Sequence, residues 1–282
     1  MVPEPAPVVL SRNGATTTLK WHRARRTAGD APFTAARIVE GLRAGACVEV
    51  DLLIHADRGF AVLHDDDLTA STTGKGKVRN TSATYLRSLT LRDPDGRPSD
   101  SPVLLLEDLA GLLDGASLPA TAMLQLDVKV SASALDPGIV DAFARTVKPI
   151  ARHTILSCGD ARVVAVLTGA VPALAVGYDP CHGGAVDAVL ASGDFTGFVD
   201  RACAAAPRAT MIYLEIPLIL AADDRGADLI AEFHRRQRAV DAYTFGGPAD
   251  PGMTPLVDRL LALGADQLTV DDPAGLVALR AD

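Results

Sequence analysis

The stretch Cys47–Asp67, CVEVDLLIHADRGFAVLHDDD, decides how the chain is read. Side chains alternate along a strand, so Glu49 and Asp51 share one face, roughly 7 Å apart at their Cα atoms. Val48, Val50 and Leu52 take the other face. Carboxylates on so apolar a strand are costly unless paired or metal-bound. Two that converge suit a single hard divalent cation. The stretch continues through a turn at Asp57-Arg58-Gly59 and a short strand, FAVL (Phe60–Leu63), to His64-Asp65.

Working outward, TTTLKW (Thr16–Trp21) reads as a strand ending in His22-Arg23, and Phe33–Ala44 as an amphipathic helix stopped by Gly45. From about residue 65 to 106 the sequence turns polar and rich in Gly, Pro and Ser, as in STTGKGKVRN and RDPDGRPSDSP. That marks a small insertion. Glu107–Leu113 resumes a helix, and Ala122–Val130 is a strand with Gln125, Asp127 and Lys129 on one face. Strands at Thr154–Cys158, Ala173–Tyr178, Thr210–Ile216, Ala239–Phe245 and Asp266–Val270 then alternate with helices, the last near Ala274–Leu279.

Regular β-then-α alternation predicts a parallel sheet, and this length predicts a (β/α)8 TIM barrel. The chain is expected to form one domain over 1–282, with the small insertion after the third strand at about 65–106. Nine strand candidates exceed eight, so FAVL or its neighbour is expected to pair outside the barrel. A doubly wound open sheet is the alternative, but it usually carries a Gly-rich turn after its first strand, and WHRARR is not one.

Composition narrows the function. The 282 residues are 48% hydrophobic and only 4% aromatic, so Ala, Val and Leu must fill the core. A net charge of −8 argues against a nucleic-acid protein, which would carry a basic stripe. It leaves room for a small anionic substrate beside a metal. The four cysteines have no C-x-x-C spacing and read as reduced. The longest apolar run, MIYLEIPLILAA, is too short to span a membrane and is interrupted by Glu215. The lead MVPEPAPVVLSRNG does not resemble a signal peptide, and a cytoplasmic location is expected.

In a barrel the active site lies at the strand C-termini. His22-Arg23 ends one strand, Glu49 and Asp51 lie on the next, His64 ends another, and Asp127 and Lys129 follow. Each residue type has a task in cleaving a phosphodiester. Glu49, Asp51 and Asp127 would hold Mg²⁺ or Ca²⁺. Arg23 offers phosphate a fork of donors and Lys129 a point charge. His22 and His64 supply an acid and a base. By contrast, His55, His153, His182 and His234 read as surface or helix-end residues, Glu215 as a residue at the barrel mouth, Asp271-Asp272 as a helix-start turn, and STTGKGK as a surface loop.

Together these residues resemble the glycerophosphodiester phosphodiesterase family, over nearly the full length. The family's H-R-G looks like His22-Arg23-Ala24, its E-x-D like Glu49-Val50-Asp51, and its H-D-x-x-L like His64 to Leu68. Its T-T-x-G-x-G is matched in part by Thr72 to Gly76, and its E-x-K by Asp127-Val128-Lys129. Its W-T looks like Tyr243-Thr244, and its closing G-x-D and T-D-x-P like Gly264-Ala265-Asp266 and Val270 to Pro273. The resemblance implies divalent-metal-dependent hydrolysis of a small-molecule glycerophosphodiester to glycerol 3-phosphate and an alcohol. It also implies His22 and His64 as the acid/base pair, Glu49, Asp51 and Asp127 as metal ligands, and Tyr243 at the substrate.

Four departures stand out: Ala24 for Gly, Pro32-Phe33-Thr34 for the family's E-N-T, Asp127 for Glu and Tyr243 for Trp. Two further readings remain: a related barrel phospholipase that forms a cyclic phosphate, as the sphingomyelinase-D-like enzymes do, and a non-catalytic barrel that binds a phosphorylated ligand.

Overall fold

The structure is a computed structural model and describes residues 6–12 and 14–279, so the ends of the Pro-rich lead and of the C-terminus lie outside the described residues. Its strands are β1 (Val9–Arg12), β2 (Ala15–Trp21), β3 (Cys47–Ile54), β4 (Phe60–Val62), β5 (Thr90–Arg92) and β6 (Pro98–Pro102). They continue with β7 (Met123–Val128), β8 (Thr154–Ser157), β9 (Ala175–Tyr178), β10 (Met211–Glu215), β11 (Ala239–Phe245) and β12 (Gln267–Val270). Eight of them, β2-β3-β7-β8-β9-β10-β11-β12, pair in parallel, and the β12–β2 and β2–β3 pairings close the ring. Helices fill the connections and cover the outside, as a parallel sheet buried on both faces requires.

Strand β3 shows why the sequence folds this way. All but its last residue are buried. Val48, Val50 and Leu52 point outward into the helical layer, where a Cβ on Gly41 of the helix Ala35–Arg43 would lie 2.6 Å from Val48. That close approach needs a glycine. Glu49 and Asp51 point inward, in register with Gln125 and Asp127 of β7. The helices start at side-chain caps: Thr34, Asp136, Asp160 and Asp272 each accept a backbone N–H of the first turn. Asp272 therefore does cap a helix, as its place before Pro273 suggests.

Strand β4 pairs antiparallel with β3, from Ile54↔Phe60 to Leu52↔Val62, and stands outside the ring. The expectation that FAVL pairs outside the barrel is met. Between β4 and β7 the chain makes short helices and a separate β5–β6 hairpin before the helix Leu106–Leu113 returns to the barrel wall. Among the described residues, no helix is long and apolar enough to cross a membrane.

Candidate active site

The mouth is built strand by strand. Asp51 and Asp127 are register partners on adjacent parallel strands, so their carboxylates lie side by side. With Glu49 they offer three oxygens within 4.8 Å of one another. The shorter reach of Asp127 relative to Glu has not opened the cluster. Lys129, just past β7, hydrogen-bonds Asp127, and its Nζ lies 3.2 Å from Asp51 Oδ1. Arg23 Nε lies 3.6 Å from Asp51 Oδ2. Asp51 is only 1% exposed, yet neither oxygen accepts a properly directed hydrogen bond among the described residues. Buried acceptors without donors are costly.

Electrostatics tells the same story. Burial, then the charges of Asp51 and Asp127, push the Glu49 carboxyl well above its usual range. Burial also opposes the charged form of Asp127, but Lys129 and the Ser157 hydroxyl outweigh it and hold that carboxyl low. Three crowded oxygen donors, one from each carboxylate, fit a hard divalent cation, which takes carboxylate oxygens and relieves their repulsion.

The backbone that carries His22 is unusual. Arg23 and Ala24 have φ of 53° and 58°, the left-handed region that glycine enters freely and other residues enter at a cost of about 1 kcal/mol or more. Ala24, where the resemblance places a Gly, holds the left-handed conformation itself. The turn is held by the Arg23 N–H donating to Glu49 Oε2 at 2.7 Å and by the Phe33 N–H donating to the Arg23 carbonyl at 2.8 Å. The turn thus ties the histidine to the carboxylate cluster.

His22 pairs through Nδ1 with Asp271 Oδ1 at 2.5 Å, and Arg25 pairs with the same oxygen. Asp271 Oδ2 accepts the Gly247 N–H at 2.9 Å. An ionised carboxylate only accepts, so Nδ1 carries the proton, and in neutral His22 Nε2 keeps its lone pair. Burial, only partly offset by Asp271, lowers the proton affinity of His22. The sequence pointed to Asp271 as part of a helix start; the structure makes it the orienting partner of His22.

Below the mouth, Lys20 is buried, 3.1 Å from Asp241 and 4.4 Å from the centre of the Tyr213 ring. It donates to Gln125 Oε1 at 2.6 Å; Gln125 Nε2 donates to Ser157 Oγ at 2.9 Å; and Ser157 donates to Asp127 Oδ1 at 2.7 Å. This chain of fixed polarity ends on a carboxylate of the cluster. The sequence reading passed over Lys20 and Asp241. Lys20 lies two residues before His22 on a strand, and that spacing alone places both on the inner face.

Across the mouth, Asp179 follows β9. Its carboxylate accepts from Tyr243 Oη at 2.8 Å, from His182 Nε2 at 3.0 Å and from the Cys181 N–H at 2.8 Å. His22, Glu49, Asp127, Lys129, Asp179, His182 and Tyr243 all line one cavity of about 110 Å³. His182 is exposed, as the sequence suggests, and also lines the mouth. His55 departs from expectation. It is 3% exposed, buried under the turn whose Asp57 N–H donates to its Nδ1. His153 and His234 do lie outside the mouth, bonded to the Ala122 carbonyl and to Asp266.

His64 is not brought into this cavity. Strand β4 runs against the barrel, so its C-terminus is not at the mouth by the parallel-strand rule. Strand β3 instead overhangs its last pairing with β7, at Leu52↔Val128, and β4 folds back along the overhang toward the mouth. His64 is half-buried, bonds Asp65 at 3.0 Å, and does not line the cavity. Arg23 does not line it either; its side chain leans on Asp51.

The model of the glycerophosphoryl diester phosphodiesterase family matches residues 33–275. The chain belongs to this family. It is a phosphoric diester hydrolase of glycerophosphodiesters. A comparison with curated proteins finds no match. Among solved structures, a glycerophosphoryl diester phosphodiesterase from Parabacteroides distasonis is 16% identical, with 97% of this chain and 89% of that one covered and a TM-score of 0.66. A phosphodiesterase from Oleispira antarctica, in complex with the product sn-glycerol-3-phosphate, is 16% identical, covering 94% and 96%, TM-score 0.66. A glycerophosphodiester phosphodiesterase from Thermotoga maritima is 17% identical, covering 94% and 98%, TM-score 0.64. At these identities the likeness establishes a shared fold.

Proposed function

We propose that the protein uses one Mg²⁺ or Ca²⁺ to hydrolyse a glycerophosphodiester to glycerol 3-phosphate and an alcohol. The crowding of three carboxylates, with buried Asp51 ion-paired but without a hydrogen bond among the described residues, carries the metal part of this reading. Glu49, Asp51 and Asp127 would hold the cation, which when bound supplies charge neutralisation at the phosphoryl oxygens. The product named for the Oleispira antarctica complex supports glycerol 3-phosphate as the product here.

The chain's own groups do the rest. Lys129 and Arg23 add positive charge beside the triad, where the phosphoryl group binds. His22, its Nδ1 proton held by Asp271, presents Nε2 to take a proton from the attacking oxygen. His64, delivered by β4, gives a proton to the departing alcohol. Tyr243 faces the substrate from the opposite wall. Water adds to phosphorus as the P–O bond to the alcohol breaks, and the alcohol leaves protonated.

A coupled assay for glycerol 3-phosphate tests this, with metal-stripped protein, a panel of glycerophosphodiesters, and added Mg²⁺, Mn²⁺ or Ca²⁺. Release that requires a cation and is lost in His22→Ala is the expected result. Release that persists in the stripped protein would overturn the metal role, and a cyclic phosphate as end product would overturn simple hydrolysis.

A further inference from the structure

We propose that His182 binds the alcohol half of the phosphodiester, on the side of the mouth opposite His22. The inference rests on the reading that the triad holds a cation beside which the phosphoryl group binds. Around the closed ring, β2 and β9 are separated by three strands in either direction, so the residues that follow them face each other across the barrel. His22–Asp271 stands at one end of that diameter and His182–Asp179 at the other. The carboxylate triad, on β3 and β7, lies to one side between them. A phosphoryl group bound beside that triad, with the attacking oxygen at His22, can direct its alcohol substituent across the mouth toward His182.

His182 stands at the rim, its side chain 58% exposed but held in place. Its Nε2–H donates to Asp179, whose remaining lone pairs take Tyr243 and the Cys181 N–H, so the carboxylate is fixed from three directions. Among the described residues its other ring nitrogen, Nδ1, makes no hydrogen bond. Gly159 makes the space for the ring: a Cβ there would stand 2.1 Å from His182 Cδ2. The main cavity also adjoins a groove of about 360 Å³ that shares Asp127, Lys129 and His182 with it and runs on past Val130 and Cys158. His182 therefore marks the exit from the phosphoryl site into a space that a larger substituent can fill. An imidazole Nδ1 accepts a hydrogen bond when neutral and donates one when protonated, so it suits the polar groups of the alcohol.

The test compares a ligand that has an alcohol half with one that lacks it. For metal-loaded wild type, His182→Ala and His182→Gln, one measures KM and kcat for a glycerophosphodiester, and the inhibition constant of inorganic phosphate. Loss of the contact in His182→Ala should raise KM by about 10-fold, with partial recovery in His182→Gln. The phosphate constant should stay within about twofold, because phosphate needs only the triad half. An unchanged KM, or a KM and phosphate constant that rise together, would overturn the assignment and leave the hydrolase reading standing. Wild type that releases no glycerol 3-phosphate with any cation would reject the hydrolase reading itself, and this inference with it.

Discussion

The two halves of the mouth are made of similar residue types yet are finished differently. On the β9–β11 side, Asp179 has three donors and a settled geometry. On the β2–β3–β7 side, Asp51 is buried without a hydrogen bond among the described residues, Glu49 is pushed toward protonation, and two residues after His22 hold left-handed backbone. A satisfied carboxylate positions its neighbours. One crowded among other carboxylates and met only by the charges of Lys129 and Arg23 is suited to take a further ligand. The comparison teaches that the chain's own donors finish one half of the mouth and leave the carboxylates of the other crowded.

The sharpest way to break this division is His22→Ala. It should lower kcat/KM by about 10²–10⁴-fold, read by glycerol 3-phosphate release, while the thermal midpoint stays close to wild type. A small effect on turnover would move the proton transfer away from the β2 side.

Lys20→Met probes the floor that joins the halves. It leaves Asp241 as an unpaired buried carboxylate, and burial already pushes that carboxyl above its usual range despite Lys20. Urea denaturation should show a loss of about 3–5 kcal/mol. The double variant Lys20→Met with Asp241→Leu should recover most of it; no recovery would mean that Lys20 acts mainly through Gln125.

Tyr243→Phe removes one of three donors from Asp179. The expected cost is about 1 kcal/mol of stability, or a few-fold in KM, because the Cys181 N–H and His182 remain. A much larger loss would show that the β11 wall is less redundant than its hydrogen bonds suggest.

The smallest effect is in pH. Burial opposes ionisation of Asp271, but His22, the Gly247 N–H and Arg25 outweigh it and hold the carboxyl below its ordinary value of 3.8. A depressed carboxyl contributes stability that is complete above 3.8 and is lost as pH falls through its folded value. Stability measured between neutral pH and about pH 3 should therefore fall less steeply in Asp271→Asn than in wild type; parallel curves would remove Asp271 from the linkage.

What was legible in the sequence was whatever alternates. Glu49 and Asp51, Asp127 and Lys129, and the eight-strand rhythm follow from strand periodicity and the spacing of helices. The antiparallel course of β4 was legible only as a surplus strand, because direction is set by the overhang of β3. His182 carried no such signal: it lies in DPCHGG, a loop with no period, and only the ring closure of β2 to β12 brings it opposite His22. Asp271 was half legible, since one Asp before a proline caps the helix and the other is free to turn toward the mouth. Lys20 shares its face with His22 by simple parity, but a lysine inside a barrel is intelligible only with Asp241, more than two hundred residues away, beside it.

The most direct test of the division is a calorimetric titration of Mg²⁺ and of Ca²⁺ into metal-stripped wild type and Asp51→Asn. The account predicts one saturable site per chain in wild type, and loss of that binding in Asp51→Asn with the fold intact. Absence of saturable binding in wild type, or equal affinity in the two proteins, would contradict it.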